Sequence, residues 1–313
     1  MIRFLLHRVA MTVPLILLVA LFIFSLLNLA GGDPAAVIAG EGASAEKIEA
    51  LRTALGLNEP FLARFGAWLL GLVQGDLGTS LFTRKPVTEL IGQRLEPTFS
   101  LALLTLVFSV LIAVPLGVIA AWKAGSWVDH LTTGVSVVGF SVPVFVTSYA
   151  AIYLFALTLG WLPVQGYTPL AKGLWPFLSH LILPAAMLSI SYVGLVARIT
   201  RSAMVEVLGQ DYIRTAAAKG VSEPEILLRH GLKNAGVPIV TAIGLGFAFL
   251  VGGVVVTETV FGIPGLGRLT VDAIARRDYP VIQGVILVIS GLYVLINLVV
   301  DLSYALLDPR IRQ

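Results

Sequence analysis

Few side chains in this sequence have the type and spacing that catalysis needs. Ser141 and His180 could supply the nucleophile and base of an intramembrane hydrolase. A nucleophile elbow of the G-x-S-x-G type, however, needs glycine where Pro143 stands. Serine is also common in packed membrane helices. We therefore predict no catalytic residue in this chain.

The segment GIPGLGRL, residues 262–269, contains glycines that suggest a phosphate-binding loop. Such a loop needs Lys and then Ser or Thr after its second glycine, and Arg268 and Leu269 stand there instead. A tight turn explains these glycines better. No G-x-x-x-x-G-K-[ST] motif occurs anywhere in the chain. Any ATP that drives this protein must therefore bind to another chain, and no cofactor is expected on this one.

Ionisable residues are almost absent from the apolar stretches of the sequence. Glu258, Asp301 and His180 lie close to the ends of such stretches rather than in their middle. Ion-coupled carriers usually place carboxylates near the middle of the membrane, so this pattern argues against a secondary transporter. The absence of cysteine excludes disulfides and thiolate metal sites, and no metal site is predicted.

The composition is typical of a membrane protein. Hydrophobic residues make up 57% of the chain and charged residues 12%, against about 25% charged residues in a soluble domain. The net charge of +3 is small and the basic residues are dispersed, which gives no nucleic-acid signature. Six long uncharged stretches can each supply a helix across a hydrocarbon core of about 30 Å: Val9–Ala30, Pro97–Trp122, Leu131–Ala171, Gly173–Ala197, Ala235–Thr257 and Val281–Val300.

These stretches predict an all-α integral membrane protein with six transmembrane helices. The apolar run within residues 1–30 is longer than that of a signal peptide and is interpreted as a retained first helix. A loop of residues 31–96, a core of residues 97–307 and a tail of residues 308–313 follow. Within the core, spans are placed at about 98–122, 131–159, 177–198, 235–258 and 281–303, with a loop at 200–234.

Lysine and arginine residues set the expected orientation in the membrane. With the N-terminus inside, the inner segments carry eleven of these residues and the short outer loops carry four. We therefore expect both termini and the 200–234 loop to be cytoplasmic. The inner residues are Arg3, Arg8, Lys123, Arg198, Arg201, Arg214, Lys219, Arg229, Lys233, Arg310 and Arg312; the outer ones are Lys172, Arg268, Arg276 and Arg277.

Two short helices are predicted in the first outer loop. The stretch SAEKIEALRTALG places Ile48, Leu51 and Leu55 on one face, with Ser44 as N-cap and Gly56 as the stop. The stretch PFLARFGAWLLGLVQGD has apolar and aromatic residues at similar spacing, which suits the bilayer interface: Phe61, Phe65, Trp68, Leu69 and Leu72. These helices could lie on the outer membrane surface, form a platform for an external partner, or do both.

Residues 211–233, DYIRTAAAKGVSEPEILLRHGLK, form a charged insert in a strongly apolar chain. The alanines at 216–218 favour a short helix that Gly220 ends. A second helix is predicted to start after Ser222, with Pro224 and two acidic residues in its first turn. The sequence thus predicts a helix–turn–helix knob whose small residues allow close approach by another surface. A solvated loop would explain the charges but not the break at glycine.

This insert resembles the cytoplasmic loop of ABC importer permeases, specifically those of the dipeptide, oligopeptide and nickel group. Their loop carries an E-A-A-x-x-x-G motif; aligned on Gly220, this chain has Arg214, Thr215 and Ala216 in place of Glu-Ala-Ala, so no salt bridge from an acid is expected there. The peptide group's local form, YIRTAxAKG, is similar to residues 212–220. Further similar segments are LGLNEP (55–60), GDLGTS (75–80), VFGIPGLGRL (260–269), RDYPVIQG (277–284) and DPRIR (308–312).

The resemblance implies a type I ABC importer permease fold in the bacterial inner membrane, with no ATPase site on this chain. It implies four kinds of partner: a second homologous permease subunit, two ABC ATPase subunits that use ATP and Mg, a periplasmic or lipid-anchored solute-binding protein, and membrane lipid. The insert would dock on an ATPase subunit. The residues expected to couple the two are Thr215, Ala216, Ala217, Ala218, Lys219, Gly220, Glu223, Glu225 and Arg229.

For the substrate, the resemblance favours small peptides, with nickel chelates or glutathione as alternatives for the same machinery. Ser141 and Asn297 are expected to line the pathway and to give loose polar contacts. Two other classes stay open: an ion-coupled secondary carrier, and a membrane scaffold that transports nothing. Pro143 and Pro184 are expected to kink their helices, either for packing or as gating hinges.

Overall fold

The computed structural model describes residues 2–29, 34–40, 42–54 and 56–307. The regular secondary structure of this part of the chain is helical, with no strand beyond an isolated bridge between Thr79 and Pro86. Its helices are α1 (Ile2–Leu29), α2 (Pro34–Ala39), α3 (Ala45–Ala54), α4 (Phe61–Val73), α5 (Val87–Trp122), α6 (Trp127–Ser141), α7 (Val144–Ala151), α8 (Leu174–Leu208), α9 (Asp211–Ala218), α10 (Glu223–Glu225), α11 (Gly236–Val260), α12 (Leu266–Arg276) and α13 (Tyr279–Leu307).

Each of the six predicted spans coincides with helix. In the described part of the chain, three helices are long and apolar enough to cross a membrane: Val87–Trp122, Leu174–Leu208 and Tyr279–Ser303. A fourth span results if Trp127–Gly139 and Val144–Thr158 are taken together. The helices α1 and α11 occupy the remaining two positions. The predicted tail 308–313 lies outside the described residues.

The third predicted span is broken rather than continuous. Helix α6 ends at Ser141, α7 begins at Val144, and the two segments differ in direction by 95°. Pro143 explains the break, because a residue before proline avoids the helical region and Val142 is accordingly extended at φ −83° and ψ 125°. The chain then continues from α7 as a π-helix, Ile152–Thr158. Pro184, by contrast, is accommodated inside the single helix α8.

The chain divides into two compact units. The first comprises Met1–Leu95 and Arg268–Val294, and the second comprises Glu96–Gly267 and Leu295–Gln313.

In the first unit, α3 and α4 form where the sequence predicts them, and the Lys47 N–H donates to the Ser44 hydroxyl, as expected of an N-cap. The predicted aromatic face of α4 packs around Phe24 of α1, with ring centroids 5.2–5.5 Å away. These aromatic rings are therefore used for helix packing.

The GDLGTS and RDYP segments meet within the first unit. The buried Ser80 hydroxyl donates to the Asp278 carboxylate at 2.5 Å, and the Leu81 N–H donates to the same carboxylate at 3.1 Å. Gly78 supports this turn with a φ of +85°, a backbone conformation that glycine adopts without strain. Two segments that are 198 residues apart in sequence are thus joined by one buried carboxylate.

In the second unit, α8 is the helix on which α5, α6, α7 and α11 pack. Glycines allow close approach on several of its faces, as is common between membrane helices. A Cβ atom at Gly194 would lie 2.5 Å from the Ser136 carbonyl oxygen of α6, and one at Gly117 of α5 would lie 2.7 Å from the Ala197 carbonyl oxygen. Gly246 of α11 lies directly against the ring of Tyr192.

We predict that Gly246→Ala destabilises the protein by about 1–3 kcal/mol, because the added methyl group would overlap the Tyr192 ring. That ring is buried, and its hydroxyl donates to the Ile243 carbonyl, so it cannot move away without losing this bond. Thermal unfolding in detergent measures the effect.

Gly134→Ala in α6 is the matched control for this substitution. A Cβ atom at Gly134 has no neighbour within 4 Å, so this change should be neutral or slightly stabilising. Equal melting temperatures for the two variants would contradict the packing described for α8 and α11.

Candidate functional site

The charged insert folds as the predicted helix–turn–helix knob. Helix α9 ends at Ala218, and Gly220 turns the chain with a φ of +80°. The second helix starts at Glu223 with Ser222 in the N-cap position, although the serine side chain makes no capping hydrogen bond. It continues from α10 as a π-helix, Ile226–Leu232. The prediction of two helices separated by a glycine turn is confirmed.

The knob is attached firmly to the end of α8. Ile213 is the buried residue of α9. A Cβ atom at Gly231 would lie 2.8 Å from Cε of Met204, which is itself completely buried in α8. The Asn234 side chain donates to the Tyr212 hydroxyl at 3.0 Å and to the His230 carbonyl at 2.8 Å, which ties the two helices of the knob together.

The outer surface of the knob includes the residues that the sequence predicts to couple to a partner. Ala216 is half-buried and the others are exposed: Thr215, Ala217, Ala218, Lys219, Gly220, Glu223, Glu225 and Arg229. A Cβ atom at Gly220 would meet nothing within 4 Å. Arg229 pairs with Glu225 at 2.9 Å within its own helix, so this pair lies on the surface. The knob thus presents a small-residue edge with charges beside it.

A cleft of about 150 Å³ lies between α6 and α8. Ser141 lines this cleft, whereas Asn297 lies in α13 and is not among the lining residues. The wall from α6 carries hydroxyl groups and the wall from α8 carries two arginines. The lining residues are Thr132, Thr133, Ser136, Val137, Ser141, Gly194, Leu195, Ala197, Arg198 and Arg201.

An ion pair closes one end of this cleft. Arg201 of α8 donates through Nε and Nη2 to the two carboxylate oxygens of Asp129 in α6, with the Nη2 contact at 2.6 Å. The Gly125 N–H donates to the same carboxylate at 2.9 Å. The Asp129 side chain is only 3% exposed, so its charge depends on these donors. This pair was not predicted from the sequence, because its two partners are 72 positions apart.

A buried carboxylate fixes the predicted glycine turn after α11. Glu258 is completely buried and accepts a hydrogen bond from the Thr98 hydroxyl of α5 at 2.5 Å. The Leu266 N–H donates to the same Thr98 hydroxyl at 2.8 Å. Gly265 and Gly267 lie against the Glu258 carboxylate, where a Cβ atom would overlap or crowd it. The turn interpretation is thus confirmed for residues 262–265, whereas residues 266–269 belong to α12, and the role of Glu258 was missed.

The segment before α8 is held against the same end of α11. The Gln165 side chain donates to the Val260 carbonyl at 2.9 Å, and the Gly166 N–H donates to the Phe261 carbonyl at 2.9 Å. Burial raises the pKa of the Tyr167 hydroxyl to about 12, so this side chain is uncharged at physiological pH. The residues that pack around the glycine turn therefore come from three parts of the chain.

The conceivable hydrolase pair is not assembled. The Ser141 hydroxyl donates to the Val137 carbonyl of its own helix at 2.8 Å. Nδ1 of His180 lies 2.7 Å from the Pro176 carbonyl and 3.5 Å from the Thr168 hydroxyl. In the described ranges, no three His, Asp or Glu side chains are grouped so that they could hold a metal ion. The described chain presents an exposed knob, a cleft and a turn fixed by a buried carboxylate.

Long apolar helices define this chain as a helical membrane protein, and a charged knob lies at the end of its helix α8. Residues 113–313 match the family model described as "Binding-protein-dependent transport system inner membrane component", and residues 1–102 match the corresponding N-terminal model. The chain belongs to this family, and within it to the peptide and nickel group of ABC importer permeases.

Its relatives cover the whole chain. It is 55% identical over 99% of both chains to the probable peptide ABC transporter permease protein y4tP of Sinorhizobium fredii. It is 43% identical to the glutathione transport system permease GsiC of Salmonella paratyphi A and 40% identical to the dipeptide transport system permease DppB of Alkalihalophilus pseudofirmus, at 99–100% coverage. The fold matches an inward-facing structure of the MetNI methionine ABC transporter, with a TM-score of 0.57 at 18% identity over 70% of this chain and 96% of that one.

We predict that Thr98→Val destabilises the protein by about 1–3 kcal/mol, since one hydroxyl serves both the Glu258 carboxylate and the Leu266 N–H. Valine keeps the shape of threonine but removes the donor and the acceptor. Thr98→Ser keeps the hydroxyl and should lose less. Thermal unfolding of the two variants tests this, and a serine variant no more stable than the valine variant would contradict it.

Proposed function

We propose that this chain forms half of the translocation pathway of an ATP-driven, binding-protein-dependent importer of small peptides. Family membership supports the transport role. The printed names of the relatives support the peptide class, since one is described for dipeptides and one for glutathione, itself a small peptide. Nickel chelates stay the alternative substrate for the same machinery. Ser141, which lines the cleft, is the pathway residue that the structure supports better than Asn297.

In this proposal the chain crosses the bacterial inner membrane six times and has both termini in the cytoplasm. Helices at all six predicted positions and the excess of Lys and Arg in the inner segments support this topology. The domain boundaries follow: a first span in residues 1–30, an outer loop 31–96, and a core 97–307 with the knob in its 200–234 loop. In this orientation, the exposed polar surface of the knob faces the cytoplasm, where ATP is available.

The observation that carries the proposal is the knob itself. Its edge carries the small residues Ala217, Ala218 and Gly220, which are exposed and leave room for a partner's surface. Its buried side is packed against Met204 of α8, so a force on the knob acts directly on a membrane helix. A surface loop without a partner would not need this attachment.

The partners in the proposed mechanism are a second homologous permease, two ATPase subunits that bind ATP and Mg, and an outer solute-binding protein. ATP binding brings the ATPases and their docked knobs together, and the helices rock from inward-open to outward-open. The binding protein then releases the solute into the cavity, and hydrolysis restores the inward-open state. Alternating access by rigid-body motion of helical units is a general transporter mechanism.

We predict that Gly220→Asp releases the ATPase subunit and abolishes uptake without unfolding the chain. The side chain would enter the contact surface, and a non-glycine residue at a φ of +80° is strained by about 1 kcal/mol. The tagged permease would be purified in mild detergent from its native host, and the co-purifying chains would be identified by mass spectrometry.

Gly42→Asp is the matched control. Gly42 has a φ of +84°, and a Cβ atom there would meet nothing within 4 Å, as at Gly220, but Gly42 lies in the proposed outer loop. It should keep the ATPase bound. A Gly220→Asp variant that retains the ATPase and normal uptake would contradict the docking role of the knob. A wild-type protein that co-purifies with no P-loop ATPase would contradict the proposed function as a whole.

A further inference from the structure

Arg198 is the exposed cation of the cleft between α6 and α8. It has no hydrogen bond or ion pair with any residue that the structure describes. Arg201, one turn further along α8, is neutralised by its bidentate pair with Asp129. The cleft therefore contains one compensated and one uncompensated guanidinium group, and it carries a net positive charge.

The wall from α6 presents hydrogen-bond acceptors to the same cleft. The hydroxyls of Thr132, Ser136 and Ser141 each donate to the carbonyl four residues earlier in their own helix, at 2.7–2.9 Å. Because their protons are engaged, their oxygen lone pairs remain for accepting hydrogen bonds. A cleft with a cation on one wall and acceptors on the other suits a ligand that has an anionic group next to N–H groups.

We infer that this cleft binds the terminal carboxylate of the transported peptide, with Arg198 as its ion-pair partner and the α6 hydroxyls accepting from the adjacent backbone N–H. This inference rests on the proposed function. A guanidinium group pairs with a carboxylate through two parallel hydrogen bonds, and such pairs are stronger than neutral ones. The volume of about 150 Å³ is below the roughly 300 Å³ of sites that enclose a whole small molecule. The cleft therefore accommodates the end of a peptide.

An anionic lipid headgroup is the main competing ligand for Arg198, since basic pockets between membrane helices can bind such headgroups. Both ligands carry an anion and a hydrogen-bond donor. Phosphatidylglycerol presents a phosphate and the hydroxyls of its terminal glycerol, whereas a peptide that does not end in proline presents a carboxylate with a backbone N–H one bond from the terminal Cα. The experiment below includes a lipid arm that separates the two ligands.

The test measures binding of two probes, alanyl-alanine and alanyl-alanine amide, to the complete transporter in nanodiscs of phosphatidylcholine, without nucleotide or binding protein. We expect the wild type to bind the free acid about tenfold more tightly than the amide. Arg198→Gln should weaken binding of the acid about tenfold and leave binding of the amide unchanged. Arg198→Lys should keep part of the preference, because it retains the charge but not the bidentate geometry.

Controls separate this effect from misfolding and from general loss of charge. Arg52→Gln removes an arginine of α3 that does not line the cleft, and it should keep the wild-type ratio of the two affinities. The melting temperature and the bound ATPase should be the same for Arg198→Gln as for wild type. If Arg198→Gln does not assemble, the comparison of wild type with Arg198→Lys decides, because the lysine variant must still show a reduced preference for the acid.

Three results would overturn the inference. The first is equal or absent binding of the two probes by wild type, and the second is an unchanged ratio in the Arg198 variants. The third is an Arg198 effect that occurs only after phosphatidylglycerol is added, which would assign the cleft to lipid. A wild-type transporter that, with binding protein and ATP, takes up no alanyl-alanine into vesicles would instead contradict the proposed function, so the two failures are distinguishable.

Discussion

Close backbone packing against α8 is the constraint on which the second unit depends. Between membrane helices the hydrophobic effect offers little attraction, because lipid tails are as apolar as leucine, so affinity comes from close van der Waals contact. Gly117, Gly194 and Gly246 give that contact on three sides of α8. Larger residues at these positions would separate the helices and open gaps that neither lipid nor side chains would fill well.

The same helix carries both features that the proposed function uses. Arg198 and Arg201 line the cleft, and Met204, about one turn further along α8, supports the knob through Gly231. A single helix therefore joins the knob to one wall of the cleft, with no loop between them. The Asp129–Arg201 pair joins α6 to this helix, so the two walls of the cleft are held together at one end.

The local features of this structure were predictable from sequence. Uncharged stretches of about twenty residues located the helices, because a hydrocarbon core requires that length. The glycine at position 220 after an alanine run located the knob turn, and Ser44 located the start of α3. These signals succeed because each depends on residues that are neighbours in the chain. The break at Pro143 was expected only as a kink, since the proline shows where a helix is weakened but not how far the next segment turns.

Features that depend on distant partners could not be found in the same way. The sequence shows Glu258 only as a charge at the end of an apolar stretch. In the structure its carboxylate accepts a hydrogen bond from Thr98, 160 residues earlier in the chain, and this contact fixes the turn after α11. The sequence likewise gives no indication that Asp129 and Arg201 form an ion pair. In so apolar a chain, however, a charged residue near a helix end has few alternatives to a specific partner, because desolvation without one is costly. Scarcity of charge is therefore itself a signal: Asp129, Glu258 and Asp278 are all buried, and each anchors a contact between segments distant in sequence. Arg198, by contrast, is exposed, so this rule does not apply to it, and the case for a ligand there depends on the geometry of the cleft.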